Sequence, residues 1–405
     1  MTADDLRNDP TQPLPGPFEP WAETDMPSLR DGPPWHMTEM IEAEPALAER
    51  LLTRLADPSS AARALAEQIR ATAFRRASIV VAGCGTSEHG AQASAEILRE
   101  AMRAAGLPWR LGEGGAPVAA QAFEASLEDE LGAGGLVIGI SHEGGTWATN
   151  LALERARSSG AAIGLVTVSD RSPAAQRADV VVATGELDQS WCHTIGYVAP
   201  ILAATAVGAH VSGRPIDPVV IRDVLAAGLA ADAIAAVERL AAALAPLDRI
   251  IVTGSGVDRI AARELALKLE EGTHIPASAR DLETLLHGHL AGMDGRTGVV
   301  LIASDDANAD ARRSRAAGAL RAAAAIDCAI GVIAGPGYRD AFEPTELVIA
   351  PNADSAGLPR AVAALVSTAV PLQLLTERMA RIRAVNPDPI RRDDPAYLRA
   401  AEAPA

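Results

Sequence analysis

Beyond a proline-rich start, short apolar runs rich in β-branched residues alternate along the chain with alanine-rich stretches whose apolar positions recur at helical spacing. SIVVAG (78–83), LVIGI (136–140), AIGLVTV (162–168) and DVVVAT (179–184) read as strands, each followed by a helical or loop segment. A second set repeats the pattern in RIIVTG (249–254), GVVLIA (298–303), AIGVIA (329–334) and ELVIA (346–350). Strands separated by amphipathic helices predict parallel α/β layering. The expected fold class is α/β, with two tandem doubly wound domains whose parallel sheets are flanked by helices. Residues 1–59 are expected to form an arm and a helix, the arm over 1–35 and the helix over Met37–Leu55 across Pro45. The first domain is expected over 60–212, a helical connection over 213–247, the second domain over 248–378 and a tail over 379–405.

The halves read as copies. IVVAGCGTSEHGAQASAEILREA in the first parallels IIVTGSGVDRIAARELALKLEEG in the second, each a strand, a G-x-G turn and a long helix. LVIGISHEGGT faces VVLIASDDANA in the same way, but the second copy lacks the glycines. A loop that cradles a ligand is therefore expected in the first domain only.

Charge and composition narrow the function. A formal net charge of -16 repels phosphate backbones, so no nucleic-acid partner is expected. A small anion can still be held by the N–H groups of a helix N-terminus. No apolar run reaches membrane-span length and the start resembles no signal peptide, so a cytoplasmic protein without a membrane partner is expected. The 3 cysteines, Cys84, Cys192 and Cys328, form no C-x-x-C pair, which fits a reducing compartment and speaks against structural zinc. Of the 36 basic residues, Lys268 alone is lysine and the other 35 are arginine. A high-GC genome explains the arginines. The surviving lysine marks a place where a compact charge serves and a planar guanidinium does not.

Two loops gather candidate binding residues. Gly83-Cys84-Gly85-Thr86-Ser87 joins a strand to a helix, where free N–H groups suit an anion or a sugar hydroxyl, and Gly85, Thr86 and Ser87 are candidate ligands. The competing dinucleotide fingerprint lacks its third glycine, because Glu88 stands there. Ser141-His142-Glu143-Gly144-Gly145-Thr146 follows the strand LVIGI and opens a helix near Trp147. Ser141, His142, Glu143, Gly144 and Thr146 are therefore placed in the same crevice at the strand ends. In ELALKLEE, Glu264, Lys268 and Glu271 share one helical face at steps of four and three. That spacing suits either a surface ion-pair ladder or a tuned carboxylate.

GCGTS, a strand ending in S-x-x-G-x-T, and ELALKLEEGTHIPASARDLETLLHGHLA together resemble the tandem sugar-isomerase (SIS) family, especially the isomerase half of glucosamine-6-phosphate synthase. The resemblance runs from PPWHMTEMIEAEP to about NPDPIRR. It implies that Glu271 shuttles a proton between C1 and C2, that Glu264 and Lys268 orient it, and that His287 assists ring opening from a neighbouring subunit of a homodimer. Ser190 and His193, in ELDQSWCHT, are implied as further ligand residues.

Three departures qualify the likeness. S-H-E-G-G-T puts Glu143 where the family has a phosphate-binding serine, a costly neighbour for phosphate. His193 replaces a lysine. The tail offers Arg391 and Arg392 in place of a Schiff-base lysine. With no cysteine before Cys84, glutamine-dependent amidotransfer is not expected. His89, His142 and His193 could converge, but their spacing fits no metal pattern, so neither a metal nor another cofactor is expected. The sequence thus points to an aldose–ketose isomerase, with or without deaminase activity, whose partner is a small-molecule sugar or sugar phosphate. A non-catalytic sugar-sensing module is the alternative, and a dehydrogenase ranks third.

Overall fold

The structure is a computed structural model and describes residues 28–108, 115–342, 346–351, 353 and 357–403. Most of the arm expected over 1–35 lies outside these residues. The chain opens with two helices, α1 (His36–Leu55) and α2 (Ala61–Phe74). The first sheet unit follows as β1 (Ile79–Gly83), α3 (Thr86–Ala104), β2 (Pro117–Gln121), α4 (Ala122–Ser126), β3 (Leu136–Ile140), α5 (Trp147–Ser158), β4 (Ala162–Thr167), β5 (Val180–Ala183) and α6 (Ile195–Ser212). Helices α7 (Pro218–Gly228) and α8 (Ala231–Leu244) connect it to the second. That unit comprises β6 (Arg249–Gly254), α9 (Asp258–Thr273), β7 (Ala277–Asp281), α10 (Leu282–Leu285), β8 (Thr297–Ala303), α11 (Ala309–Ala324), β9 (Ala329–Ala334), β10 (Glu346–Ile349) and α12 (Arg360–Ile382). A short α13 (Pro395–Glu402) ends the described chain.

Both sheets are parallel throughout, with orders β2-β1-β3-β4-β5 and β7-β6-β8-β9-β10. The two orders are the same. Each reverses direction once, between β1 and β3 and between β6 and β8, and a crevice opens there at the carboxyl ends of the strands. The sequence reading missed β2 and β7. PVAAQ and ASARD carry little β-branched or aromatic character, and edge strands need less of it because only one side is paired. The single helical stretch read over 218–247 is two helices, broken where Ala230 turns extended.

Helices α3 and α6 from the first unit and α9 and α12 from the second form a layer between the sheets, so one apolar core runs through both units. Helix α6 is apolar on every side and long enough to cross a membrane, but most of it is buried inside the protein. A helix apolar all round is buried, and this one is the core helix. Small residues allow close approach: a Cβ on Gly90 would meet the Pro200 ring at 2.9 Å, and one on Gly228 would meet Val370 at 2.9 Å.

A carboxylate joins the two units. The side chain of Glu100 on α3 accepts hydrogen bonds from the backbone N–H groups of Arg360 and Ala361, both at 2.8 Å. It thereby caps α12, which has no capping side chain of its own. Glu100→Ala is expected to cost about 1–2 kcal/mol of stability, measured by urea unfolding, with Glu100→Gln costing less because its amide oxygen can still accept.

Candidate functional site between α3 and α9

The crevice of the first unit is built from two loops. Gly83 closes the β1 turn, where a Cβ would fall 2.3 Å from the Ser87 carbonyl oxygen. Gly85 then takes a positive φ of 57° and begins α3 without a side-chain cap. The Ser87 N–H donates to the Cys84 carbonyl, and the Thr86 hydroxyl turns toward Glu264 of α9 at 3.3 Å. After β3, Gly144 has φ 73° and packs so closely that a Cβ would lie 2.3 Å from the Ser172 hydroxyl. Thr146 is exposed and α5 has no side-chain cap, which leaves donors at its N-terminus for a ligand. The Ser141 hydroxyl is buried and lies 3.5 Å from that of Thr146.

His142, a candidate ligand residue, is buried. Its Nε2 accepts from the Asp188 N–H at 2.9 Å, so Nδ1 carries the proton of the neutral ring. Burial pushes its pKa down to about 4. His193 packs against it, with ring centroids 5.1 Å apart, and burial with His142 beside it holds this ring neutral too. Ser190 is likewise committed internally, its hydroxyl accepting from the Cys192 N–H at 3.2 Å. The loop carrying these residues is organised by Asp188, which the sequence reading overlooked. Its carboxylate accepts from the N–H groups of Ser190, Thr194 and Gly196 at 3.2, 2.6 and 3.1 Å. Burial raises Asp188 to about 6 against these bonds. Only its position six residues before Thr194, at the start of an apolar helix, hinted at a capping aspartate.

The tail crosses the same loop. Trp191 donates its N–H to the Asp388 carbonyl at 2.9 Å, and the Arg392 guanidinium lies 4.8 Å from the centre of the Trp191 ring. Half-buried Glu143 is raised by burial, while Arg392 pulls it back.

Helix α9 supplies the charged centre. Glu264, Lys268 and Glu271 do lie on one face, but it is a buried face between the units and no surface ladder. Lys268 is fully buried, contacts Glu271 directly and lies 3.7 Å from Glu264. Burial alone would lower its pKa, yet the two carboxylates raise it well above the ordinary value. Glu264 also accepts a 2.6 Å hydrogen bond from Nδ1 of His89 on α3. Burial would push Glu264 up, but Lys268 and His89 outweigh it and hold the carboxyl below its usual range. Glu271 retains 21% of its side-chain exposure, and burial raises it despite Lys268. His89 bonds Glu264, whereas His142 and His193 pack against each other.

His287 is not part of this group within the chain. It follows α10 on the surface, 71% exposed, and bonds Glu283 at 2.8 Å. Its expected role rests on a second subunit.

The equivalent crevice of the second unit is filled from within. The Asp305 carboxylate accepts from the Val257 and Ala307 N–H groups, both at 3.0 Å, and pairs with Arg360 at 2.6 Å and Arg312 at 2.5 Å. Burial opposes this arrangement, but the N–H groups and Arg360 keep Asp305 below the usual carboxylate range.

The comparisons fit this geometry. Residues 243–328, which include α9 and its triad, match the model of the SIS domain. This segment is similar to a SIS domain. A curated relative, the isomerizing glutamine–fructose-6-phosphate aminotransferase of Symbiobacterium thermophilum, is 29% identical over 278 residues, 65% of this chain and 44% of its own. The chain spans less than half the length of the curated relatives it matches. Among solved structures, the C-terminal domain of glucosamine-fructose-6-phosphate aminotransferase from Francisella tularensis superposes with a TM-score of 0.71 at 19% identity, covering 88% of this chain and 98% of that one. Tagatose-6-phosphate ketose/aldose isomerase from Escherichia coli gives 0.65 at 18% identity, covering 87% and 95%. These likenesses establish that the two-sheet fold is shared across most of this chain.

The triad makes a prediction about ionisation. Because Lys268 opposes the effect of burial on Glu271, Lys268→Met should raise the Glu271 pKa further, beyond its already elevated position. Carboxyl carbon NMR titration, with Glu271→Gln to assign the signal, checks the direction.

Proposed function

We propose that the chain is a sugar-phosphate aldose–ketose isomerase whose base is Glu271. The observation that carries this reading is a partly exposed carboxylate of raised pKa, fixed by a buried ammonium, beside a glycine-built crevice at the topological switch point. A base that must take a carbon-bound proton near neutral pH needs such a carboxylate. In this mechanism the Gly85–Ser87 turn and the N-terminus of α5 hold the sugar and its anionic group. Glu271 removes the proton from C2 of the open-chain aldose, the electron pair forms a C1–C2 double bond, and the carbonyl oxygen becomes the enediol oxygen. Glu271 returns the proton to C1 as the ketose carbonyl forms at C2. The Lys268 ammonium stabilises the ionised base.

The similarity to an aminotransferase and to a ketose/aldose isomerase supports this class of substrate, a phosphorylated sugar with or without an amino group. In the same reading the protein is a homodimer, because His287 reaches a crevice only if it belongs to a second copy. Sedimentation at micromolar concentration is expected to give twice the chain mass, and an active monomer would remove His287 from the mechanism.

Glu271→Gln keeps the shape and removes the base. Turnover is expected to fall roughly a hundredfold or more with ligand affinity largely kept. The measurement is C2 proton exchange in heavy water followed by NMR over a panel of free and phosphorylated sugars. Wild-type exchange should increase with pH as Glu271 ionises, along a limb above the ordinary carboxylate range. Binding without exchange would make the protein a sugar sensor instead.

A further inference from the structure

An isomerase must move two kinds of proton, one on carbon and one between the two oxygens of the enediol. Glu271 is positioned for the first. Lys268 is poorly suited to the second, because its ammonium is fully buried, pinned between two carboxylates and held well above its ordinary pKa. His89 stands at the other end of the same chain of contacts. It lies on the first turns of α3, four residues after Gly85, and its Nδ1 is fixed by Glu264 at 2.6 Å.

The partnership has the form of an acid–base histidine with its orienting carboxylate. Glu264 is wholly buried and receives Thr86 as well as His89, so it fixes both the tautomer and the ring orientation. With Nδ1–H donating to Glu264, the neutral ring has its lone pair on Nε2, which has no protein partner among the described residues. The His89 side chain keeps 12% of its exposure, at the boundary between the crevice loops and α9. By contrast His287, the other histidine proposed for the reaction, comes from outside the chain.

On the reading of the protein as an isomerase, we propose that His89 is the catalytic residue that carries the proton between O1 and O2 of the enediol, oriented by Glu264. The protonated ring gives its Nε2 proton to the carbonyl oxygen at C1 while Glu271 takes the proton from C2. The neutral ring then takes the hydroxyl proton from O2 while Glu271 returns its proton to C1. His89 and Glu271 both finish in their starting states, and the oxidation of C2 is matched by the reduction of C1 within the sugar, so no external oxidant or reductant is needed. The buried His89–Glu264 contact also joins the two units, so a purely structural role is the competing explanation.

Asparagine separates the two. Its side-chain amide can donate to Glu264 from the place of Nδ1 but has nothing at the place of Nε2. His89→Asn is expected to lower kcat by about a hundredfold or more, with KM for the best sugar phosphate and the thermal unfolding midpoint both close to wild type. In His89→Ala, added imidazole is expected to restore part of the turnover. A His89→Asn protein within threefold of the wild-type kcat would overturn the assignment while leaving the isomerase reading intact. So would a loss matched by a large fall in unfolding midpoint and untouched by imidazole. A wild-type protein that exchanges no C2 proton on any sugar overturns the isomerase reading and His89's role with it.

Discussion

Lys268 carries its charge where no water reaches it. Burying an ammonium costs several kcal/mol even after the protein relaxes around it, and only close, well-placed opposite charge offsets that. Here the offset comes from Glu271 and Glu264 on the same helix, while Glu264 is in turn satisfied by His89 and Thr86 from the other unit. The ionic contact therefore fixes more than α9. It sets how α3 and α9 approach, and with them the position of the crevice loops relative to the candidate base. A planar guanidinium with five N–H donors could not be satisfied by the same two carboxylates in the same volume. This gives a physical reason for one lysine among so many arginines.

The parallel layering and the repeat were legible because strand runs such as LVIGI and GVVLIA are apolar and regularly spaced. The α9 triad was legible too, since helical spacing alone puts Glu264, Lys268 and Glu271 on one face. What spacing could not tell was whether that face was wet or buried, and the structure buries it. Contacts such as His89 to Glu264, 175 residues apart, leave no local signature. The burial of His142 and His193 was hidden for a related reason. A glycine-rich loop advertises exposure, yet their rings turn back into the protein and one of them accepts a backbone hydrogen bond from Asp188. PVAAQ and ASARD escaped notice because an edge strand is held by its partner's backbone more than by its own side chains.

The two units have diverged by electrostatics on a shared framework. Both place a glycine turn after the first strand and a loop after the third, and both leave N–H donors at the crevice. In the first, α5 begins beside exposed Thr146 without a side-chain cap, and the Arg392 guanidinium acts on Glu143. In the second, Asp305 takes the place an anionic ligand would occupy, with Arg312 and Arg360 closing over it. Arg360 also begins α12, whose N-terminus is capped by Glu100 from α3. A former binding feature has become part of the joint between units.

That internal occupant has an evolutionary consequence. Aspartate and glycine codons differ by a single base, so one mutation at Asp305 would strip the second crevice of its carboxylate. Two guanidinium groups and the N–H of Val257 would then lie together, with Glu100 and Glu96 as the carboxylates still acting on Arg360. The charge balance of the second crevice thus turns on a single side chain.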